Sequence, residues 1–459
     1  MNDLVTPGSF APLTNARAAA VAWAGTPVRD RLRVVAGVRR AIAMGAAGLV
    51  ATIDRDPADT LVAEVLPLAE AASFLVRHAA AILAPARPRG RTPLWLWGVR
   101  AILVRDPCGV VLILAPGNYP LFLAGAQALQ ALAAGNAVCL KPAPGCSAPV
   151  HAFAKLLAGA GLPPGVFTVL DEHDGPAAVA AGFDHIVLTG SAETGARVLA
   201  AAGLTPCTLE LSGSDAVYVL PGADLALVAR CLAYGLRLNG GATCIAPRRV
   251  FLLAGQHDAL RDQLLPLLPP IADARVPAAV AARLAALVAD AVAQGAEATL
   301  VPGRPTVVAH ARPGMALLQQ DVFAPWLALV PMPDMAAALR ADAACPYALG
   351  ASVFGPANDA AAFARRVQAG SVCINDVVVP TADPRLPFAG RRRSGYGATR
   401  GEEGLLRMTV VKTISERRGR FRPHLDAPRP DAARLFGAMI ASLHGGWPGL
   451  RAAIRGLRA

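Results

Sequence analysis

The chain has 459 residues, 54% of them hydrophobic and 17% charged, with 43 Gly and 39 Pro. That length predicts two or three domains and a core that needs no disulfide or metal staple, and the apolar content excludes intrinsic disorder. The formal charge of +12 does not point to nucleic acid: Lys141, Lys155 and Lys412 are the only lysines, and residues 417–459 alone carry +7 through nine arginines and two aspartates.

Residues 14–83 read as helices, with apolar residues at three-to-four spacing over 17–23, 28–47 and 58–83. Pro27 and Gly45 punctuate the second of them. Leu94–Trp97 and Arg100–Val104 then read as two strands around Gly98, a hairpin. From there short apolar strands alternate with helices. The strands are 110–114, 137–141, 166–170, 185–188 and 208–211; the helices are 121–134, 150–159, 177–181 and 194–202. Such alternation predicts parallel βαβ units in a doubly wound sheet. A second series runs from about Leu225 to Phe388, with strands at 249–253, 326–331 and 351–354.

The uncharged run 109–140 has the length of a membrane span. However, Pro116-Gly117-Asn118-Tyr119-Pro120 breaks it, and lipid could not satisfy that backbone, so strand, loop and buried helix is the better reading. Beyond Pro423, Leu435, Phe436, Met439, Ile440 and Leu443 fall on one face of a helix edged by Arg434. A second piece, 450–457, brings Arg451 and Arg455. This tail is too short to span a bilayer; it serves either as a packing arm or as a weak contact with an anionic membrane surface. The eight cysteines form no CxxC and no His-paired ligand spacing, which points away from zinc and from a secreted disulfide framework. Met1-Asn2-Asp3 lacks a signal-peptide pattern. The expected compartment is the cytoplasm, membrane-peripheral if the tail binds lipid.

Three loops carry the chemistry. Leu114–Pro120 and Thr189–Gly195 each follow a strand and precede a helix, where open α/β sheets bind ligands and helix N-termini attract phosphates. The spacing of Gly190 and Gly195 is neither a P-loop nor GxGxxG. The third, Asn239-Gly-Gly-Ala-Thr-Cys-Ile-Ala-Pro247, sets Cys244 after a flexible turn. A lone Cys is more often a small buried hydrophobe than a nucleophile; the whole arrangement raises the second reading.

With these motifs in order, the chain resembles the aldehyde dehydrogenases, most closely the shorter, class 3-like members, from Trp23, Pro27 and Arg31 to about Thr413. Asn239–Pro247 resembles the family's catalytic segment, which implies Cys244 as nucleophile. Leu209-Glu210-Leu211-Ser212-Gly213 resembles its Leu-Glu-Leu-Gly-Gly segment, which implies Glu210 as general base, 34 residues before Cys244. The Pro-x-Asn-x-Pro element implies Asn118 as oxyanion donor. Cofactor contacts implied by the resemblance are Lys141, Thr189, Gly190, Ser191, Gly195, Leu211, Asp321 and Phe323. Pro387-Phe388-Ala389-Gly390 and Ser394–Gly397 match the closing segment.

The implied activity is NAD- or NADP-dependent oxidation of an aldehyde to a carboxylic acid, through a Cys thiohemiacetal and a thioester. The implied architecture is two doubly wound α/β domains plus a small β bridging arm: a cofactor domain over 1–93 and 105–210, a catalytic domain over 211–400, and an arm over 94–104 and 401–422 that pairs two copies. Residues 423–459 form the basic tail. The chain departs from the family at Ala242 (usually Gln), Gly117 (often Trp), Asp321 (usually Glu) and Pro144. Pro144 stands where a Glu often holds the adenine ribose, so NADP is expected to be tolerated, with Lys141 near the ribose. Thr243, Ile245, Tyr119 and Val377–Val379 carry no charge, which favours an apolar aliphatic or aromatic aldehyde. Two alternatives stay open: an attenuated member acting as a binding or scaffold protein, and a CoA-acylating or reductive variant.

Overall fold

The computed structural model describes residues 10–268, 270, 276–420, 422–427 and 429–458. In chain order its strands are β1 (Val99–Pro107), β2 (Val110–Leu114), β3 (Ala137–Lys141), β4 (Phe167–Val169), β5 (His185–Gly190), β6 (Cys207–Leu211), β7 (Asp215–Val219) and β8 (Pro247–Leu253). They continue with β9 (Glu297–Thr299), β10 (Thr306–Ala309), β11 (Trp326–Met332), β12 (Tyr347–Ala348), β13 (Gly350–Phe354), β14 (Ser371–Ile374), β15 (Arg391–Arg392), β16 (Gly395–Tyr396) and β17 (Thr409–Arg417). One sheet has the order β16-β6-β5-β2-β3-β4 and the other β14-β13-β7-β8-β11-β10-β9. Both are parallel except at one edge, where β16 and β9 pair antiparallel. Both α/β series foreseen from the sequence are therefore present.

Every residue of β2, β7 and β13 is buried. Continuous apolar strands of this kind belong to parallel sheets covered on both faces. The helix Phe122–Ala134 is buried at every position as well, so the uncharged run 109–140 is β2, a loop, a core helix and β3. Helical backbone runs without a break from Pro57 to Ile82, long and apolar enough to cross a bilayer, yet half of it is buried and it carries Glu64 in the core. A π-turn at Leu61–Val65 lies within it, at the turn that bears Glu64.

The structure corrects several expectations. Leu94–Leu96 is a 3₁₀ turn closed by the Leu96 N–H on the Pro93 carbonyl, not a strand. The expected hairpin is absent because β1 pairs with β17, three hundred residues away, a partner that local alternation cannot reveal. Residues Gly401–Arg407, assigned to the arm, form a helix packed on Phe122–Ala134 and Leu66–Ile82. Among the described residues, seven strands went unforeseen, β7, β9, β10, β12, β14, β15 and β16; each has only two to five residues, short enough to be hidden among loops.

The chain divides into two units. The first, Met1–Ala86 with Val104–Lys412, holds both sheets. The second, Arg87–Leu103 with Thr413–Ala459, holds the outer part of the β1–β17 ribbon and the helices Ala432–His444 and Gly446–Arg458, which pack on each other.

Candidate active site

The carboxyl ends of β2, β3 and β5 open into a cleft of about 900 Å³. Its wall includes Lys141, Thr189, Gly190, Ser191, Asp321 and Phe323, six of the eight expected cofactor residues. Gly195 and Leu211 lie behind the wall instead: a Cβ on Gly195 would stand 2.7 Å from Leu211 Cδ1, so the pair sets how closely the helix Ala192–Ala202 packs on β6. Ser191 is that helix's N-cap, its Oγ accepting the Thr194 N–H at 3.1 Å. Thr189 accepts from buried Gln127 Nε2 at 2.9 Å. Lys141 Nζ donates to the Glu172 carbonyl at 2.9 Å. Asp321, one methylene shorter than the usual Glu, is held by the Tyr347 hydroxyl at 3.0 Å.

These residues fit a dinucleotide. An eleven-residue helix begins at the cleft, where Glu193 and Thr194 line the wall, and the positive end of its dipole favours an anion there. The volume is ample for a cofactor. Lys141 and Asp321 supply one cation and one carboxylate for ribose and phosphate groups.

A second, smaller cavity of about 280 Å³ holds Cys244 and Glu210. Tyr119, Phe122, Thr243, Ile245, Val378, Phe388 and Arg400 share its wall. The loop Pro116–Pro120 separates the two chambers: Asn118 borders the cleft, and Tyr119 borders the cavity.

That loop is locked to the loop bearing the thiol. Asn118 Nδ2 donates to the Ala242 carbonyl at 2.9 Å, Asn239 Nδ2 donates to the Asn118 carbonyl at 2.9 Å, and the Tyr119 hydroxyl lies 2.6 Å from Thr243 Oγ1. Asn118 Oδ1 accepts the Tyr119 N–H at 3.0 Å, which fixes the amide plane. On the other side Gly241, at φ 75°, rests on Pro325, whose Cα would lie 2.6 Å from any Cβ there, so only glycine closes this turn. Buried Arg248 donates to the carbonyls of Gly241, Ala324 and Trp326, tying the same loop to the start of β11.

Beneath Asn118 lies a buried ion pair that the sequence did not announce. Arg55 Nη1 stands 3.3 Å from Glu64 Oε1, and both side chains are nearly inaccessible. Arg55 also donates to the Asn118 carbonyl at 2.6 Å and lies 5.1 Å from the Tyr119 ring centroid. Glu64 Oε2 accepts the N–H groups of Leu121 and Phe122, capping the core helix. Burial pushes the Glu64 carboxyl up to about 7, against the pull of Arg55 and these amides.

Glu210 sits near the carboxyl end of β6, between Thr189 of β5 and Gly395 of β16. Its Oε2 accepts the Thr399 hydroxyl at 2.7 Å, while Oε1 has no hydrogen-bond partner among the described residues. Burial raises its proton affinity; Arg400 and Thr399 oppose that. The Cys244 thiol opens onto the cavity and is held well above the usual thiol range, first by burial, then by the charges of Glu210 and Asp215, with Arg400 opposing. A nucleophile in this state needs a neighbouring proton acceptor. Thr399 and Arg400 were missed from sequence; they lie just past the Ser394–Gly397 run, where nothing local marks them.

His257, Asp258 and His310 form a further cluster with metal-like spacing. His257 Nε2 accepts the His310 N–H at 3.1 Å and Nδ1 meets Asp258 at 3.0 Å, so neither ring nitrogen of His257 is free for a metal.

Comparison with known proteins agrees with this geometry. The model of the aldehyde dehydrogenase family matches residues 11–414. The chain is 31% identical to a probable coniferyl aldehyde dehydrogenase of Pseudomonas aeruginosa, over 92% of this chain and 91% of that one. It is 30% identical to a 4,4'-diapolycopene aldehyde oxidase of Methylomonas, over 86% and 79%. The fold matches an aldehyde dehydrogenase of Mycobacterium tuberculosis solved with NAD+, with a TM-score of 0.81, 26% identity and 88% of each chain covered. Another matching structure, a glyceraldehyde-3-phosphate dehydrogenase of Bacillus halodurans, holds NADP.

A carboxylate and a side-chain amide at the carboxyl ends of parallel strands, with a thiol on the loop before β8 and a dinucleotide cleft beside them, define an NAD(P)-dependent aldehyde dehydrogenase. The chain belongs to the aldehyde dehydrogenase family.

Proposed function

We propose that Cys244, Asn118 and Glu210 carry the reaction in that order. One observation supports this above the rest: Cys244 and Glu210 share one cavity, and the Asn118 loop lies between it and the cofactor cleft. Cys244 Sγ adds to the aldehyde carbon as its proton leaves to Glu210 or water, giving a tetrahedral oxyanion. The second Asn118 Nδ2–H and the Cys244 backbone N–H then meet that oxygen. When bound, the nicotinamide supplies hydride acceptance from the tetrahedral carbon. For hydrolysis, Glu210 takes a proton from water, the hydroxide adds to the thioester carbonyl, and the C–S bond breaks. The carboxylic acid leaves and the Cys244 thiolate regains a proton.

For the substrate we propose an apolar aliphatic or aromatic aldehyde. Val62, Phe122, Leu123, Ile245, Val379 and Phe388 line the cavity, and two relatives are named for coniferyl aldehyde and for 4,4'-diapolycopene aldehyde. For the cofactor we propose that NADP is accepted beside NAD, since Pro144 brings no carboxylate to the cleft wall. The test follows NAD(P)H absorbance over a panel of aldehydes with NAD+ and NADP+. Turnover that survives Cys244→Ser would remove the nucleophile assignment. An acyl-CoA product in place of the free acid would remove the hydrolytic role of Glu210.

A cytoplasmic homodimer, paired through the β1–β17 ribbon, is the proposed working form. The tail favours a second, membrane-peripheral role: Phe436, Ile440, Trp447 and Ile454 are exposed on it beside Arg451 and Arg455. Flotation with anionic liposomes, comparing the full chain with one ending at Pro423, tests this; equal behaviour of the two sinks it.

A further inference from the structure

Arg400 lines the thiol cavity beside Phe122 and Phe388, and no step of the mechanism above uses it. It is 6% exposed. Its backbone sits at φ 63°, a conformation that non-glycine residues rarely adopt. The backbone is held there from outside: its N–H donates to Gln130 Oε1 at 3.3 Å. The guanidinium lies 4.6 Å from the Phe388 ring centroid and 5.6 Å from that of Phe122, and Nη1 donates to the Thr381 carbonyl. Among the described residues Nε has no hydrogen-bond partner.

Among the described residues, Glu210 Oε1 is the other buried side-chain polar atom on this wall without a partner. Its second oxygen is bound by Thr399, the residue before Arg400. A buried cation with a spare donor and a buried carboxylate with a spare acceptor therefore border one cavity, and consecutive residues control both. Other charges face the pair. Cys244 lies in the same wall, Asp215 stands behind the thiol, and Tyr119 approaches from the Asn118 loop. Asp59 and Arg237 form an ion pair at the more exposed side of the cavity. Among these groups, Arg400 is the cation that draws protons away from both Glu210 and Cys244.

A carboxylate enclosed by Phe122, Phe388 and Val378 without a counter-charge would take up a proton and cease to be a base. Arginine suits the opposing role better than lysine, because it keeps its charge on burial and stacks on aromatic rings.

We infer that Arg400 is a positioning residue for hydrolysis: stacked between Phe388 and Phe122, it supplies the positive charge opposite Glu210 and so keeps that carboxylate available to take a proton from water. The inference rests on the reading of Glu210 as base.

The test measures kcat against pH with NAD+ and benzaldehyde for the wild type, Arg400→Met, Arg400→Gln, Arg400→Lys and Glu210→Gln. In the two neutral variants the acid limb of the profile moves up by about one pH unit, and kcat below the limb falls about tenfold. The aldehyde KM stays within about twofold, and Arg400→Lys returns the limb toward its wild-type place. An unmoved limb in folded neutral variants would overturn the inference. So would a lysine variant shifted as far as the neutral ones, or a raised KM with the limb in place, which would make Arg400 a substrate contact. If both neutral variants fail to fold, Arg400 is a stability residue and the proposal falls. Full turnover in Glu210→Gln would instead remove the reading of Glu210 itself, so the two failures are told apart.

Discussion

The two chambers on either side of the Asn118 loop are built differently. The cofactor cleft is made largely of strand ends, a capped helix N-terminus and glycine-bearing turns, with Lys141, Glu193, Arg197, Arg283 and Asp321 as charged residues on its wall. The thiol cavity is made of side chains gathered from Tyr119, Glu210, Cys244 and Arg400, which span almost three hundred residues. Its inner polar groups, Glu210 and Arg400, are buried, and the site is braced by Thr399 on Glu210 and, under the Asn118 loop, by Arg55 on Glu64. Holding a diffusible cofactor needs a shape that many sequences can make. Placing a thiol, a base and an amide against one carbon needs particular side chains, each braced by others.

That contrast can be broken or sharpened by substitution. The largest effect is expected from Cys244→Ser, with kcat falling by about 10⁴-fold or more while NAD+ affinity by calorimetry stays unchanged. Loss of both would mean that the chambers are not separable. Next comes Asn118→Ala, with a fall in kcat of about 10²–10³-fold. Since Asn118 also borders the cleft, a parallel loss of cofactor affinity would blur the division.

Arg55→Met tests the bracing. It leaves Glu64 buried without its counter-charge and should cost about 3–5 kcal/mol in urea unfolding. The sign of its pH dependence follows from Glu64. Burial raises the folded-state carboxyl to about 7, above its unfolded value, so protonation favours the fold and that contribution fades as pH rises through 7. Without Arg55 the protonated form is favoured further. The deficit of the variant should therefore be smaller at pH 5 than at pH 8, and a deficit that grew toward pH 5 would contradict this account. The smallest effect is Lys141→Ala, a rise of about three- to tenfold in KM for NADP+ with a lesser one for NAD+.

The same contrast explains what the sequence made legible. Strands and helices of the first sheet follow from local alternation, and the cleft follows from them, because ligands bind at strand ends. Cys244, Glu210 and Asn118 were legible as ordered motifs. Arg55, Glu64, Thr399 and Arg400 were not: each is an ordinary charged or hydroxyl residue whose meaning comes from a partner about ten to nearly two hundred positions away. The hairpin at 94–104 failed for a related reason. A strand's alternation tells which face is buried and nothing about which distant strand it pairs with.

The amide of Asn118 has a consequence of its own. One of its N–H groups is engaged by Ala242 and its carbonyl by the Tyr119 N–H, so the side chain has a single orientation before any aldehyde arrives. The rotational freedom of that amide is lost when the chain folds. An incoming substrate therefore meets a dipole already aimed, and its own binding need not do that ordering.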